Sequence, residues 1–467
     1  GSLSLSKVLS THQSVIPITK PRARMLDVTT NRYLADVAIT CDQNFTVIHD
    51  AAIDVNEGRI TSIGPQSEAP PHQGAVHDLG GLVMPGLVNS HAHTPMTLVR
   101  GAGDGLPLLE WLTRVMWPRE GQMTPEDVLW GMRLGASEML RAGVTSTCEM
   151  YLFEESVVEA SADAGIRLVM TPGIISALHA DDFGSTDGRL AMITEFHKHY
   201  HDPERGVTVG FGPHSAYDLP LEFCAEVAAA ARDLDALLHI HVCETQAEGT
   251  DLESANDGRS TVQLLAENGV LDGRVIAAHS VWLNDADIET YAHHDVSVAH
   301  CPVSNMKLGS GVAAVRAMRS RGIEVGLGTD GPASNDDLDL WQEIKFAPLL
   351  ARVVAMDAAA MSPRDALWMA TSEGARAVGN RDVGTLESGQ RADFIRVDLD
   401  DPTFVPVTST DELIAHLAWS GSGRHVTDVW VGGEQVVADR QCVRVDVERA
   451  MAEVQTRGLR LASDSGT

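Results

Sequence analysis

The middle of the chain reads as short apolar runs separated by longer amphipathic stretches. The runs are "LVMPGLVNSHAH" (82–93), "VTSTCEMY" (144–151), "IRLVMTPGI" (166–174) and "VTVGFGPHSAY" (207–217). Four more follow, "LLHIHVCET" (237–245), "VIAAHSVWL" (275–283), "VSVAHCPVSN" (296–305) and "EVGLGTDGPAS" (324–334). Between most of them stand helix-like segments such as "PEDVLWGMRLGASEMLRAG" and "LEFCAEVAAAARDLD". Eight strand candidates alternating with helices predict an α/β chain with a parallel sheet, and eight suits a closed (β/α)8, TIM-like barrel. An open doubly wound sheet is the alternative, but no G-x-G-x-x-G follows a first strand.

The flanks differ in pattern. "AAIDVNEGRITSIG" (51–64) is two strand-like runs joined at Asn56-Glu57-Gly58, a hairpin signal. "ADFIRVDL" (392–399) and "VTDVWVGGEQVVADRQCV" (426–443), with Gly432-Gly433 as a turn, repeat it near the other end. The two segments are expected to join into one small β-sandwich satellite domain. The organisation predicted is an N-terminal extension over 1–25, satellite segments over 26–84 and 381–445, a barrel over 85–380, and a C-terminal helix and tail over 446–467.

Ionisable residues gather where the runs end, which in a barrel is where active sites are built. The first run ends in His91 and His93, whose i, i+2 spacing turns both imidazoles to one side. Glu149, His214, His241 with Glu244, His279, His300 and Asp330 close later runs. One such histidine is ordinarily a hydrogen-bonded structural residue; so many at equivalent strand ends is not a packing pattern. Three imidazoles and a carboxylate suit a borderline divalent ion such as zinc, with a coordination position left for water. The ligands expected are His91, His93, His241 and Asp330. The fourth run holds no lysine that could be carboxylated to bridge two ions, so one metal per chain is favoured. Zinc is expected, with iron or another divalent metal as the alternative. His239 and His300 are read as structural or supporting residues. Glu149 is either a support for the ligands or a strand cap.

Composition narrows the partners. The 467 residues carry a formal net charge of −30 and are 44% hydrophobic, enough for a large buried core. A surface this acidic repels phosphate backbones, so no nucleic-acid partner is expected. No apolar run is long enough to span a bilayer. The six cysteines are scattered without a C-x-x-C pair, and the first 25 residues lack the apolar core of a signal peptide, so reduced thiols and a cytoplasmic location are expected.

Taken together, "PGLVNSHAHTPMTLVRG", "FGPHSAY", "HVCET", "AAHSVWL", "HCPVSNMKLGSG" and "GTDGPASNDDLDL" resemble the amidohydrolase superfamily. The branch they resemble is the 5′-methylthioadenosine/S-adenosylhomocysteine deaminases, neighbours of triazine hydrolases and guanine deaminase. The resemblance covers nearly the whole chain, through "GTLESGQRADFIRVD". It implies a hydrolytic deaminase in which Glu244 protonates a ring nitrogen, His279 polarises or positions the attacking water, and Asp330 both binds the metal and takes that water's proton. It also implies that Trp111 offers an aromatic face, while Glu120, assisted by His214, meets ribose hydroxyls. One departure stands out: Pro172 occupies the place after the third run where relatives can carry an arginine for an amino-acid carboxylate. Arg189 is the candidate substitute. The substrates expected are adenosine, 5′-methylthioadenosine or S-adenosylhomocysteine-type nucleosides. The alternative is a free base or triazine losing an amino or chloro group. A homo-oligomer is compatible with either.

Overall fold

The computed structural model describes residues 30–179 and 186–464, and the N-terminal extension expected over 1–25 lies outside them. The chain has mixed α/β content. Eight parallel strands fall on the eight apolar runs: β1 (Leu87–Ala92), β2 (Val144–Glu149), β3 (Arg167–Met170), β4 (Val207–Val209), β5 (Leu237–Val242), β6 (Arg274–His279), β7 (Ser297–His300) and β8 (Val325–Leu327). They pair in chain order as two four-stranded sheets, β4-β3-β2-β1 and β5-β6-β7-β8. Isolated parallel bridges connect the sheets, Phe211 with Leu238 and Ser215 with His241 on one side, Ala92 with Asp330 on the other. The order contains no reversal point of the kind a doubly wound sheet requires.

β1, β2 and β5 are buried along their whole length, which explains why their sequences are nearly continuous apolar runs rather than alternating ones. The helix Pro125–Arg141 after β1 opens on a capping box, Thr124 with Asp127, and a proline in its first turn. Asp127 also receives Arg457 (3.1 Å) and Arg460 (2.5 Å), which fasten the C-terminal helix Val447–Asp464 onto the same helix.

The two flanking segments meet in one sheet. Its strands run Gln441–Cys442, Glu434–Ala438, Val426–Val431, Phe394–Val397, Leu82–Pro85, Asn31–Ile39, Val47–Asn56, Arg59–Pro65, with Ala75–Asp78 also on Asn31–Ile39. The junction is antiparallel, with Ile395 opposite Met84. The two hairpin turns both use left-handed backbone, Glu57 and Gly58 (φ 48° and 75°), Gly432 and Gly433 (φ 56° and 76°). They also press on each other, since a Cβ on Gly58 would stand 2.7 Å from the carbonyl oxygen of Gly432. This sheet keeps its own core, in which Phe394 and Trp430 stack at 4.6 Å with Tyr33 edge-on to both.

Within 381–445 the structure differs from an all-β segment. Thr410–Ser420 is a helix that buries Leu413, Ile414, Leu417 and Ala418 against the helices Leu340–Ala355 and Pro363–Met369. Those four positions lie on one helical stripe. All six cysteines are free. Among the described residues, no helix is long and apolar enough to cross a membrane.

Candidate active site

The carboxyl ends of the strands bring His91, His93, His241 and Asp330 to one point. His91 and His93 approach Asp330 Oδ1 through Nε2 at 3.3 and 3.2 Å, and the Nε2 atoms of His93 and His241 are 3.3 Å apart. The opposite nitrogen of each ring is occupied. Nδ1 of His93 donates to the Met150 carbonyl at 2.6 Å, and Nδ1 of His241 donates to the His214 carbonyl at 2.9 Å. A carbonyl can only accept, so each Nδ1 carries a proton and Nε2 is the atom free to act as a ligand.

His91 reaches the same state through a relay. Thr171 Oγ1 donates its single proton to the Glu149 carbonyl at 2.9 Å, so it must accept from His239 Nδ1, also 2.9 Å away. His239 Nε2 then accepts from His91 Nδ1 at 2.8 Å. Burial holds both rings neutral, with His91 pushed down to about 3 and His239 well below its ordinary value. His91 Nε2 is left buried with no hydrogen-bond partner.

Three imidazole nitrogens and a carboxylate oxygen therefore converge in a geometry that could hold a cation. Four donors held ~2.0–2.2 Å from a tetrahedral zinc stand about 3.3–3.5 Å from one another. The observed separations of 3.2–3.3 Å fit that ion. Asp330 is aimed by two hydroxyls, Ser304 Oγ at 2.6 Å and Ser334 Oγ at 2.7 Å on Oδ2, which leave Oδ1 to the histidines. Its backbone is left-handed, as is that of His279 (φ 60° and 67°), and both side chains line the pocket.

Glu244 and His279 face each other across that space, Oε2 to Nε2 at 3.8 Å. His279 Nδ1 meets Asn305 Oδ1 at 2.9 Å, which leaves Nε2 toward Glu244. Burial, reinforced by the charge of Asp330, pushes Glu244 up to about 8. The backbone N–H groups of Cys243 and Glu244 donate to Glu248 at 2.9 and 2.8 Å, fixing the turn that carries the acid.

Trp111, Glu120 and His214 line the same pocket. Glu120 is 4% exposed, and its burial raises the carboxyl pKa while a hydrogen bond from Tyr151 opposes the rise. Trp111 is anchored by its indole N–H on the Ala102 carbonyl at 2.9 Å. Burial pushes His214 down to about 4, and its ring packs edge-on to Tyr217 at 5.5 Å.

Arg189 requires a correction. It is not on the pocket lining; its guanidinium is buried in a two-pronged pair with Glu154 at 2.8 and 3.0 Å. A buried carboxylate at the start of the helix Glu154–Ala164 claims the charge that was expected to meet substrate. Glu149 accepts from Thr94 N, Thr94 Oγ1 and Thr147 Oγ1 at 2.9, 2.5 and 2.7 Å, and so ties down the segment after His93. His300 is buried off the lining. Residues unassigned in the sequence reading are Ser304, Asn305, Ser334, Thr171, Glu248 and Tyr151. The signal for two of them lay in "HCPVSN", where a proline starts a helix directly after β7 and puts Ser304 and Asn305 in its first turn.

A family model described as "Amidohydrolase family" matches residues 82–436. A 5-methylthioadenosine/S-adenosylhomocysteine deaminase of Pelotomaculum thermopropionicum is 39% identical over 420 residues, 89% of this chain and 95% of that protein. A 5′-deoxyadenosine deaminase of Methanosarcina mazei is 38% identical, over 89% of this chain and 95% of its own. The solved structure of an adenosine deaminase from Xanthomonas campestris with bound zinc superposes with a TM-score of 0.87 at 33% identity, covering 93% of this chain and 99% of that one.

Proposed function

The chain belongs to the amidohydrolase family, and from that premise we propose that it is a hydrolytic deaminase releasing ammonia from the adenine ring of a nucleoside. It is a hydrolase of C–N bonds. The observation that carries the reading is one pocket holding the metal-donor cluster and two buried carboxyl groups whose pKa burial raises, Glu244 and Glu120.

His91, His93, His241 and Asp330 would hold one divalent ion per chain, zinc by the donor set and spacing, with His279 also close to His91 and Asp330. When bound, zinc lowers the pKa of water toward neutrality and makes hydroxide available. The protein's own groups do the rest. Asp330 takes a proton from the attacking water, and His279 Nε2 holds that water beside Glu244. An aromatic C–NH₂ carbon is a poor electrophile until the adjacent ring nitrogen is protonated. Glu244, kept protonated at neutral pH by burial, supplies that proton. Hydroxide adds to that carbon, and the adduct's hydroxyl returns a proton to Glu244 while the amine takes the water's first proton from Asp330, so the C–N bond breaks and ammonia leaves. Glu120, with His214, accepts ribose hydroxyls, and Trp111 lies against the ligand.

The two parallel sheets are read as a closed (β/α)8 barrel, supported by the three bridges between them. The flanking sheet is read as its β-sandwich satellite. The experiment is ammonia release from adenosine, 5′-deoxyadenosine and 5′-methylthioadenosine, alongside guanine, cytosine and melamine. Turnover of the nucleosides is expected. Turnover of a free base or triazine with none of the nucleosides contradicts the reading.

A further inference from the structure

The names of the relatives leave two kinds of 5′ substituent in play, a methyl thioether and a homocysteine ending in a carboxylate and an ammonium. Resting on the nucleoside reading above, we infer that this chain selects adenine nucleosides with an uncharged 5′ substituent and discriminates against those ending in a carboxylate.

No lysine or arginine lines the pocket among the described residues. Away from the metal donors its walls are mainly apolar, with Leu108, Leu112, Trp117, Leu152, Ile175 and Leu308. The carboxyl groups that face it, Glu120, Glu244 and Asp330, offer an incoming carboxylate no compensation.

Three of the cations near the lining, Arg189, Lys307 and Arg114, are engaged by carboxylates. Arg189 stands behind Gly173, a lining residue, and donates to its carbonyl at 3.3 and 3.4 Å while gripping Glu154. Turning it toward substrate would leave Glu154 as a buried unpaired charge, a strongly unfavourable exchange. Lys307, beside Leu308, is bound to Asp336, and Arg114 is bound to Glu110 at 3.0 Å. A carboxylate entering this pocket would lose water without gaining a charged partner. An uncharged thioether loses nothing comparable and gains apolar contact.

The test compares kcat/KM of the metal-loaded enzyme for 5′-methylthioadenosine, 5′-n-butylthioadenosine and S-adenosylhomocysteine. The butyl compound separates chain length from charge. S-adenosylhomocysteine is expected at least about tenfold below the butyl thioether, the scale of one missing charged hydrogen bond. Equal values for the two overturn the inference and leave the nucleoside reading intact. Equally poor values, with 5′-methylthioadenosine alone turned over, make length the criterion and overturn it as well. Failure of all three with adenosine still deaminated overturns the inference and leaves the nucleoside reading, whereas failure of adenosine as well removes both.

A second arm installs a cation. Ile175 is half-buried on the lining, at a site where a long side chain can reach both solvent and pocket. In Ile175→Arg, the ratio of S-adenosylhomocysteine to butyl thioether turnover should rise about fivefold or more. An unchanged ratio in a variant that still processes the butyl thioether contradicts the inference.

Discussion

At the deep end of the pocket each metal-facing side chain is fixed from behind, whereas the walls that receive the substrate come from short helices between strands. His93 and His241 are oriented by backbone carbonyls, His91 by the His239–Thr171 relay, and Asp330 by two serines. Leu108, Trp111, Leu112 and Glu120 instead lie on consecutive short turns over Leu108–Glu120, entered through three left-handed glycines, Gly101, Gly103 and Gly105. The difference separates chemistry from choice. Strand ends set the reaction with little freedom, while the inserted turns can change the substrate without disturbing the metal.

Variants at the deep end should therefore cost most. His91→Ala removes a proposed ligand, and both metal and turnover should be lost, as elemental analysis and ammonia release will measure. Retained stoichiometric metal in that variant would break the contrast between the two ends. Glu244→Gln keeps the shape of the acid but cannot donate its proton in the same way, so turnover should fall ~10²–10⁴-fold with metal content unchanged.

The relay gives a sharper test. His239→Phe removes the acceptor that keeps the His91 proton on Nδ1, and metal affinity should fall about 10–100-fold, read by chelator competition. An unchanged affinity would show that His91 needs no partner.

At the mouth the effects should be smaller and substrate-dependent. Glu120→Ala should lower kcat/KM for 5′-methylthioadenosine about ten- to a hundredfold, the worth of a charge-assisted hydrogen bond, with zinc content unchanged. Equal losses on a nucleoside and on any free base would make Glu120 structural.

The legibility of the sequence divides along the same line. His91 and His93 are readable because strand spacing is fixed and because the runs end in polar residues at equivalent points. Ser304 and Ser334 were not, since their meeting on Asp330 depends on how the helices Pro302–Lys307 and Pro332–Asn335 pack around a left-handed residue. Arg189 was misassigned because its partner, Glu154, lies 35 residues earlier in a different helix, a contact no local pattern carries. The joining of the two flanks in one sheet was legible through their turns, Gly58 and Gly432-Gly433. The helix Thr410–Ser420 beside it was not, because strand signals on either side drew the whole segment into a β reading.

The smallest effect concerns stability. Burial pushes Glu244 and Glu343 up to about 8 and Glu248 up to about 7, from an ordinary value of 4.5. The folded chain thus holds protons that the unfolded chain has released. Their contribution to stability is complete below about pH 4.5 and is lost as pH rises toward 8. The Tm of metal-free protein should include a declining component over that window, and Glu343→Gln should flatten it. An identical slope in the variant would remove Glu343 from the effect.

Metal dependence is the claim on which the rest stands, and one titration tests it directly. Purified protein is stripped with a chelator, and ammonia release from 5′-methylthioadenosine is followed as zinc is added back. The account predicts no turnover without metal and full recovery at one equivalent per chain. Turnover in verified metal-free protein, or recovery only at two equivalents, would contradict it.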